Sequence, residues 1–357
     1  MTSKKILLLN QGKTENLGDK AIDLVLQKVL QTNNVEVISK GFAQTREQNI
    51  SDFNSSNIVS NKKILKKILP RWVIWLIKYR QKIKEEYLKI KHHNFDLVII
   101  GGGQLIKSKS IFMYTMLSWV QILKKHNKEL PIIILGVGLD PKYNTLEKYI
   151  YKKIFSKIEK FYLRDQQSKN TLKSIFGIGS DFIPDVVFSY KNQIIRDKDS
   201  SNSINKKNEL ALMIYEYNAL KNHFGTQLTK EDYYEEWYKL AKNNSDSMKN
   251  VYLSYTTIGD KRETLEFKKY MIREHNINLP VHYTDTLDDL DTVFQKSHKV
   301  ISGRMHGMLI ALNHNCLVTP YIVSPKIESF QKDYLESSKS LTDFSLEIEN
   351  TIRKIVI

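Results

Sequence analysis

Short apolar runs alternating with amphipathic stretches set the plan of this chain. Residues 4–9 form a continuous apolar run, as expected of a strand buried on both faces. From Asp19 onward Ile22, Leu24, Val25, Leu26, Val29 and Leu30 recur at helical spacing, so Asp19 sits at a predicted helix start. Further strands are predicted over 35–39, 96–100, 132–135 and 160–163, with helices over 113–123 and 145–158, and residues 178–183 lead into Pro184. Strands that alternate with helices and end in glycine or charged residues predict a doubly wound parallel sheet. Residues 191–208, rich in Ser, Asn, Lys and Asp, read as a linker. A second series follows, with strands at 210–215, 251–256, 281–283, 299–302 and 317–322 and helices at 230–242, 262–274, 287–296 and 305–313. An amphipathic tail completes it. The expected organisation is a first α/β domain over 1–190, a second over 209–340 and a closing helix over 341–357, the two domains facing each other across a cleft lined by strand ends.

One stretch departs from this rhythm. Over 61–93 eleven Lys or Arg stand against two Glu, while Ile64, Leu65, Ile68, Leu69, Trp72, Val73 and Leu76 form a single helical stripe. Pro70 is expected to kink this helix or to start its second half. Two readings stay open: a basic amphipathic helix lying on an anionic membrane surface, or a surface helix whose stripe packs on its own domain. In the first, Lys62, Lys63, Lys66 and Lys67 carry much of the attraction.

Composition narrows the function classes. The chain has 357 residues and 41% apolar content, ordinary globular material for two domains. One cysteine, Cys316, excludes a disulfide framework or thiolate metal cluster and fits a reducing compartment. The first apolar run is too short for a signal peptide or a membrane span, which predicts a cytoplasmic protein, peripheral at the membrane if the basic helix binds there. A net charge of +16 calls for acidic partners. Its concentration in one stripe, without a nucleic-acid recognition module, argues against a non-enzymatic nucleic-acid binder. The histidines, His92 and His93 included, lack metal-ligand spacing, so no metal and no cofactor is expected.

The candidate chemistry gathers where strands end. Ser302-Gly303-Arg304-Met305-His306-Gly307 turns a strand into a helix, and a helix N-terminus favours anions. Arg304 offers a planar fork to a phosphate or carboxylate, and His306 can move a proton near neutral pH. A structural salt bridge and a packed histidine are the competing explanations. Asn16-Leu17-Gly18-Asp19 likewise places a glycine and a carboxylate at the end of the first strand, where open parallel sheets bind ligands, although Asp19 could simply cap its helix. Gly101-Gly102-Gly103 permits close backbone approach after the strand at 96–100. Its spacing is not that of a dinucleotide fingerprint.

Taken in order, Asn16-x-Gly18-Asp19, Gly101-Gly102-Gly103, Arg164-Asp165-x-x-Ser168, Pro184-Asp185-x-x-Phe188, Ser302-x-Arg304-x-His306-Gly307 and a late Lys326 make the chain resemble the polysaccharide pyruvyl transferases from about residue 10 to 330. The segment 40–93 has no counterpart in that pattern. The resemblance implies two Rossmann-like domains similar to the GT-B glycosyltransferase architecture, with phosphoenolpyruvate as donor and a sugar or lipid-linked oligosaccharide of a bacterial surface polysaccharide as acceptor. It maps the family's Arg-x-His pair on to Arg304 and His306 and its first-domain arginine on to Arg164.

Ketal formation needs a general acid and a general base. His306 is the expected acid, with Asp19 or Asp185 as base. Arg304 and Arg164 are expected to hold the two ends of the donor, and Ser302, Gly303, Gly18, Gly102, Gly103 and Lys326 to complete the substrate site. A nucleotide-sugar glycosyltransferase on the same architecture is the alternative enzyme.

Overall fold

The computed structural model describes residues 3–43, 71–195 and 208–357. Their contacts divide the chain into two compact units: Met1–Thr14, Leu26–Ile183 and Ile352–Ile357 form the first, Glu15–Val25 and Pro184–Thr351 the second.

The first unit is built on a six-stranded sheet of β1 (Lys5–Asn10), β2 (Glu36–Gly41), β3 (Leu97–Gly101), β4 (Ile132–Val137), β5 (Lys160–Leu163) and β6 (Asp181–Phe182). All are paired in parallel, in the order β2-β1-β3-β4-β5-β6. β1, β3 and β4 are buried almost throughout, which is why they read as unbroken apolar runs instead of alternating ones. The helices are α1 (Leu17–Gln31), α2 (Arg71–Ile90), α3 (Phe112–His126), α4 (Thr145–Phe155) and the short α5 (Gln166–Thr171); α1 starts among residues of the second unit. A capping box at Asn144 and Glu147 fixes the start of α4.

Helix α2 forms the later part of the basic stretch. It begins at Arg71, and Tyr79, Ile83, Tyr87 and Ile90 are buried at helical spacing. The Tyr87 ring lies 4.7 Å from that of His126 on α3. The apolar residues from Tyr79 to Ile90 therefore pack on their own unit, and Lys78, Arg80, Lys84 and Lys89 lie on the outer side, while the side chains of the stripe from Ile64 to Leu76 lie outside the described residues. Residues 61–70, with the four lysines singled out above, lie outside the described residues, as do the side chains of Trp72 and Trp75.

The second unit has a four-stranded parallel sheet formed by β7 (Glu209–Met213), β8 (Val251–Leu253), β9 (Ser297–Ser302) and β10 (Leu317–Pro320). Its order is β10-β9-β7-β8. Around it run α6 (Tyr217–Phe224), α7 (Lys230–Asn243), α8 (Ile258–His275), α9 (Leu287–Lys296), α10 (Met305–Asn313), α11 (Pro325–Phe330) and α12 (Leu341–Val356). Thr229, Thr257 and Thr286 each cap a helix start by accepting an N–H from an aspartate three residues on.

Three expectations need correction. The strand expected at 281–283 is reduced to one bridge between Leu253 and Val281. Helix α8 begins at Ile258, not at 262, because Thr257 supplies the cap. The division between units falls at Ile183 and Pro184, ahead of the polar stretch 191–208. The reason is packing: Phe188 lies 4.8 Å from Tyr334 and 4.6 Å from Phe344, so the apolar residues after Pro184 already belong to the second core. Lys191–Ile195 forms a helical turn, and residues 196–207 lie outside the described residues.

Candidate functional site

The carboxyl end of the second sheet gathers most of the expected site. β9 ends at Ser302, which is fully buried; its Oγ accepts the Arg304 N–H at 3.0 Å and its carbonyl accepts the Tyr321 N–H. Ser302 thus shapes the turn, where a substrate contact was expected of it. Gly303 is needed for close approach, since a Cβ there would lie 3.1 Å from both Tyr215 and Val323. Arg304 then stands at the N-cap of α10, with Met305, His306 and Gly307 in the first turn.

The fork of Arg304 is already engaged. Nε and Nη2 donate to Asp260 Oδ2 and Oδ1 at 2.8 and 2.7 Å, and the guanidinium stacks 4.1 Å above the Tyr215 ring. Asp260 is 1% exposed and also accepts the Glu216 N–H at 3.1 Å. Burial opposes the arginine's charge, but Asp260 outweighs it and holds the guanidinium above its usual range. Burial likewise pushes the Tyr215 phenol up, against the pull of Arg304. The bidentate edge expected to clamp a ligand is therefore taken up by a buried partner. The side chain as a whole remains 27% exposed.

His306 is the second centre. Its Nε2 meets Asp185 Oδ2 at 3.3 Å, and its side chain is 11% exposed against 1% for Asp185. Asp185 caps the 3-10 turn Val186–Ser189, its Oδ1 accepting the Val187 N–H at 3.2 Å. With both oxygens engaged and only 1% exposure, this carboxylate orients the imidazole; the role of hydroxyl base expected of it would need surface it lacks. A carboxylate on Nε2 keeps a proton there and leaves Nδ1 as the atom that exchanges.

Nδ1 faces the start of α1. Asn16 caps that helix, its Oδ1 accepting the Gly18 N–H at 2.9 Å, and the Leu17 N–H donates to the Thr256 carbonyl. A Cβ on Gly18 would lie 2.6 Å from both Cβ and Nδ1 of His306. The Asn16-x-Gly18-Asp19 pattern thus combines a cap, a gap over an imidazole, and a carboxylate, Asp19, half-buried in the first turn. Lys326 is half-buried in the first turn of α11.

The first unit carries the remaining expected residues at the carboxyl ends of β3, β4 and β5. Gly102 and Gly103 both have φ of 74°, a conformation that favours glycine. The Gly103 carbonyl accepts the Gly138 N–H, and the Arg164 guanidinium lies against Gly138, where a Cβ would meet Nε and Nη2 at 3.2 Å. Arg164 is 2% exposed, with Nε 3.9 Å from Asp165. Asp165 caps α5 through the Ser168 N–H, and Ser168 Oγ accepts the Leu139 N–H at 2.8 Å. The Arg164-Asp165-x-x-Ser168 pattern is a turn that ties β5 to the loop after β4.

Sequence reading missed Asp260 and Tyr215, the two residues that hold Arg304. No spacing links position 260 to 304; a cap assignment at Thr257 was the signal that would have put Asp260 inside a helix. It also missed a buried group in which the Tyr190 hydroxyl donates to Asp291 and His314 Nε2 meets the same carboxylate at 2.9 Å. Among the described residues no cluster of three or more His, Cys, Asp or Glu has the arrangement to hold a metal ion.

A sequence model of the family described as Polysaccharide pyruvyl transferase matches residues 16–321. A comparison with curated protein sequences finds no match. Among solved structures, the UDP-GlcNAc 2-epimerase of Methanocaldococcus jannaschii, in complex with UDP-GlcNAc and UDP, aligns over 99% of both chains with a TM-score of 0.55 at 12% identity. The UDP-N-acetylglucosamine 2-epimerase of Rickettsia bellii aligns over 99% of this chain and 96% of its own, with a TM-score of 0.54 at 12% identity. An α,α-trehalose-phosphate synthase (UDP-forming) from Burkholderia xenovorans aligns over 99% and 98%, with a TM-score of 0.50 at 8% identity. At such identities the likeness is one of fold: two α/β domains on parallel sheets, the GT-B architecture.

Proposed function

Because the chain belongs to the polysaccharide pyruvyl transferase family, we propose that it transfers the pyruvyl unit of phosphoenolpyruvate to two hydroxyls of one sugar in a bacterial surface polysaccharide or its lipid-linked precursor. The observation that carries this reading is the buried Asp185 carboxylate on His306 Nε2, with Gly18 giving the ring space on its Nδ1 side. An imidazole placed in this way can hand a proton to a bound donor and take one back.

In this scheme His306 gives the Nδ1 proton to the methylene carbon of the donor, whose double bond supplies the electrons. The adjacent carbon becomes cationic, and a sugar hydroxyl adds to it as its proton passes to a base. Phosphate then departs with the electron pair of its carbon–oxygen bond. A second hydroxyl of the same sugar closes the ketal and returns a proton to His306, while the proton taken by the base leaves on the phosphate. The products are the ketal and one phosphate, and the protons balance. Asp19, in the first turn of α1, is the proposed base, and the exposed part of Arg304 together with Lys326 attracts the anionic donor. Gly102 and Gly103 are proposed as further substrate contacts on the first unit, whereas Arg164, 2% exposed and lying against Gly138, is proposed to shape the turn that presents them.

The test is acceptor-dependent release of phosphate from phosphoenolpyruvate by the purified chain, with mass spectrometry of the sugar product. Release of a nucleoside diphosphate from a nucleotide sugar, with no consumption of phosphoenolpyruvate, would replace this reading by the glycosyltransferase one.

No helix among the described residues is long and apolar enough to cross a membrane. The basic outer side of α2 and the lysines before it are proposed to hold the enzyme at an anionic bilayer, where a lipid-linked acceptor would be found.

A further inference from the structure

The imidazole and carboxylate of the His306–Asp185 pair come from different elements, so something must hold the Asp185 turn against α10. We propose that Asn313 is the positioning residue that does so. His306 and Asn313 are seven residues apart on α10, two turns, and therefore project from the same face roughly 10 Å apart along the helix. Residues 185–191 are gripped at both points. At the first turn Asp185 Oδ2 meets His306 Nε2. At the last turn the Asn313 amide, 2% exposed, accepts the Lys191 N–H through Oδ1 at 2.8 Å and donates from Nδ2 to the carbonyls of Val187 at 2.9 Å and Leu309 at 2.8 Å.

Only a short primary amide meets these demands. Val187 is also the residue whose N–H holds Asp185 Oδ1, so a single residue links the Asn313 contact to the one that aims the carboxylate. Aspartate at 313 would keep the Lys191 contact but place an acceptor against the Val187 carbonyl, and alanine would remove the acceptor of the Lys191 N–H and one of the two donors to the Val187 carbonyl, which also accepts the Tyr190 N–H. The adjacent buried group reinforces the grip, because Tyr190 and His314 share the Asp291 carboxylate.

This inference rests on the proposed role of His306, and the experiment separates the two. Imidazole 15N shifts of His306 are recorded in the full-length wild type, Asn313→Ala, Asn313→Asp and Asp185→Asn, alongside kcat and KM for phosphate release. With the pH raised until the ring is neutral, the expected result is the Nε2-protonated tautomer in the wild type and a mixed tautomer in all three variants. In both Asn313 variants kcat is expected to fall about tenfold or more with KM little changed, and Asn313→Ala combined with Asp185→Asn should be no slower than Asp185→Asn alone. Wild-type tautomer and turnover in a folded but less stable Asn313→Ala protein would reduce Asn313 to a purely structural residue and overturn the proposal. Additive losses in the double variant would do the same. Should the alanine variant fail to fold, Asn313→Ser, which keeps one donor and one acceptor, takes its place in the same comparison. A wild type with no turnover would sink the transferase reading while the tautomer comparison still decides the role of Asn313.

Discussion

Gly18 and His306 touch so closely that a single added carbon at position 18 would fall 2.6 Å from the imidazole Nδ1. Glycine is required there for space, because the backbone at 18 is ordinary helix and strains no side chain. Gly18→Ala is accordingly expected to leave the fold intact, at a cost of about 1–3 kcal/mol for the overpacked contact, while turnover falls roughly 100-fold as the ring is pushed off Asp185. Turnover and thermal midpoint measured on one preparation check both halves. A fully active Gly18→Ala enzyme would remove Nδ1 from the chemistry.

His306→Ala should fold but melt somewhat earlier than the wild type, since it takes the imidazole away from a carboxylate that is 1% exposed. Its phosphate release from phosphoenolpyruvate should drop by about 100- to 10,000-fold. If the variant instead melts far earlier with the catalytic loss tracking the unfolded fraction, His306 is a packing residue.

Arg304 is expected to behave as both a structural and a functional residue. Arg304→Ala leaves Asp260 buried without its cation, which costs about 3–5 kcal/mol; Asp260→Asn combined with it should recover part of that loss. Arg304→Lys keeps the charge but cannot make the Nε and Nη2 contacts together, so it should sit between wild type and alanine in urea midpoint. Equal midpoints for all three proteins would mean that the Asp260 pairing contributes nothing.

Vesicles test the basic segment. The full-length protein should co-sediment with vesicles containing anionic lipid and come off as salt rises, each lysine or arginine near the surface contributing on the order of 1 kcal/mol. Replacing the exposed Lys78, Arg80 and Lys84 by Glu should weaken this binding severalfold without moving the thermal midpoint. Equal sedimentation with neutral vesicles would exclude the electrostatic attachment.

Much of this protein is determined by local sequence. Buried parallel strands appear as unbroken apolar runs such as residues 6–9 and 97–100, and helix starts follow from caps such as Asn16 and Asn144, because both signals act over a few neighbouring residues. The order of short motifs around Gly18, Gly102, Asp185 and His306 was enough to place the chain in its family. What tertiary structure alone decided is which of those side chains meet. Arg304 commits its fork to Asp260 and its face to Tyr215, because strand order brings β7, β8 and β9 into one sheet although their loops are far apart in sequence, and Asp185 is sealed behind His306 because the turn it caps packs on α10. The later half of the basic helix, from Tyr79 to Ile90, illustrates the same point. An amphipathic pattern states that one face must be covered, and only packing, here with Ile83, Tyr87 and Ile90 buried in the first core, says by what.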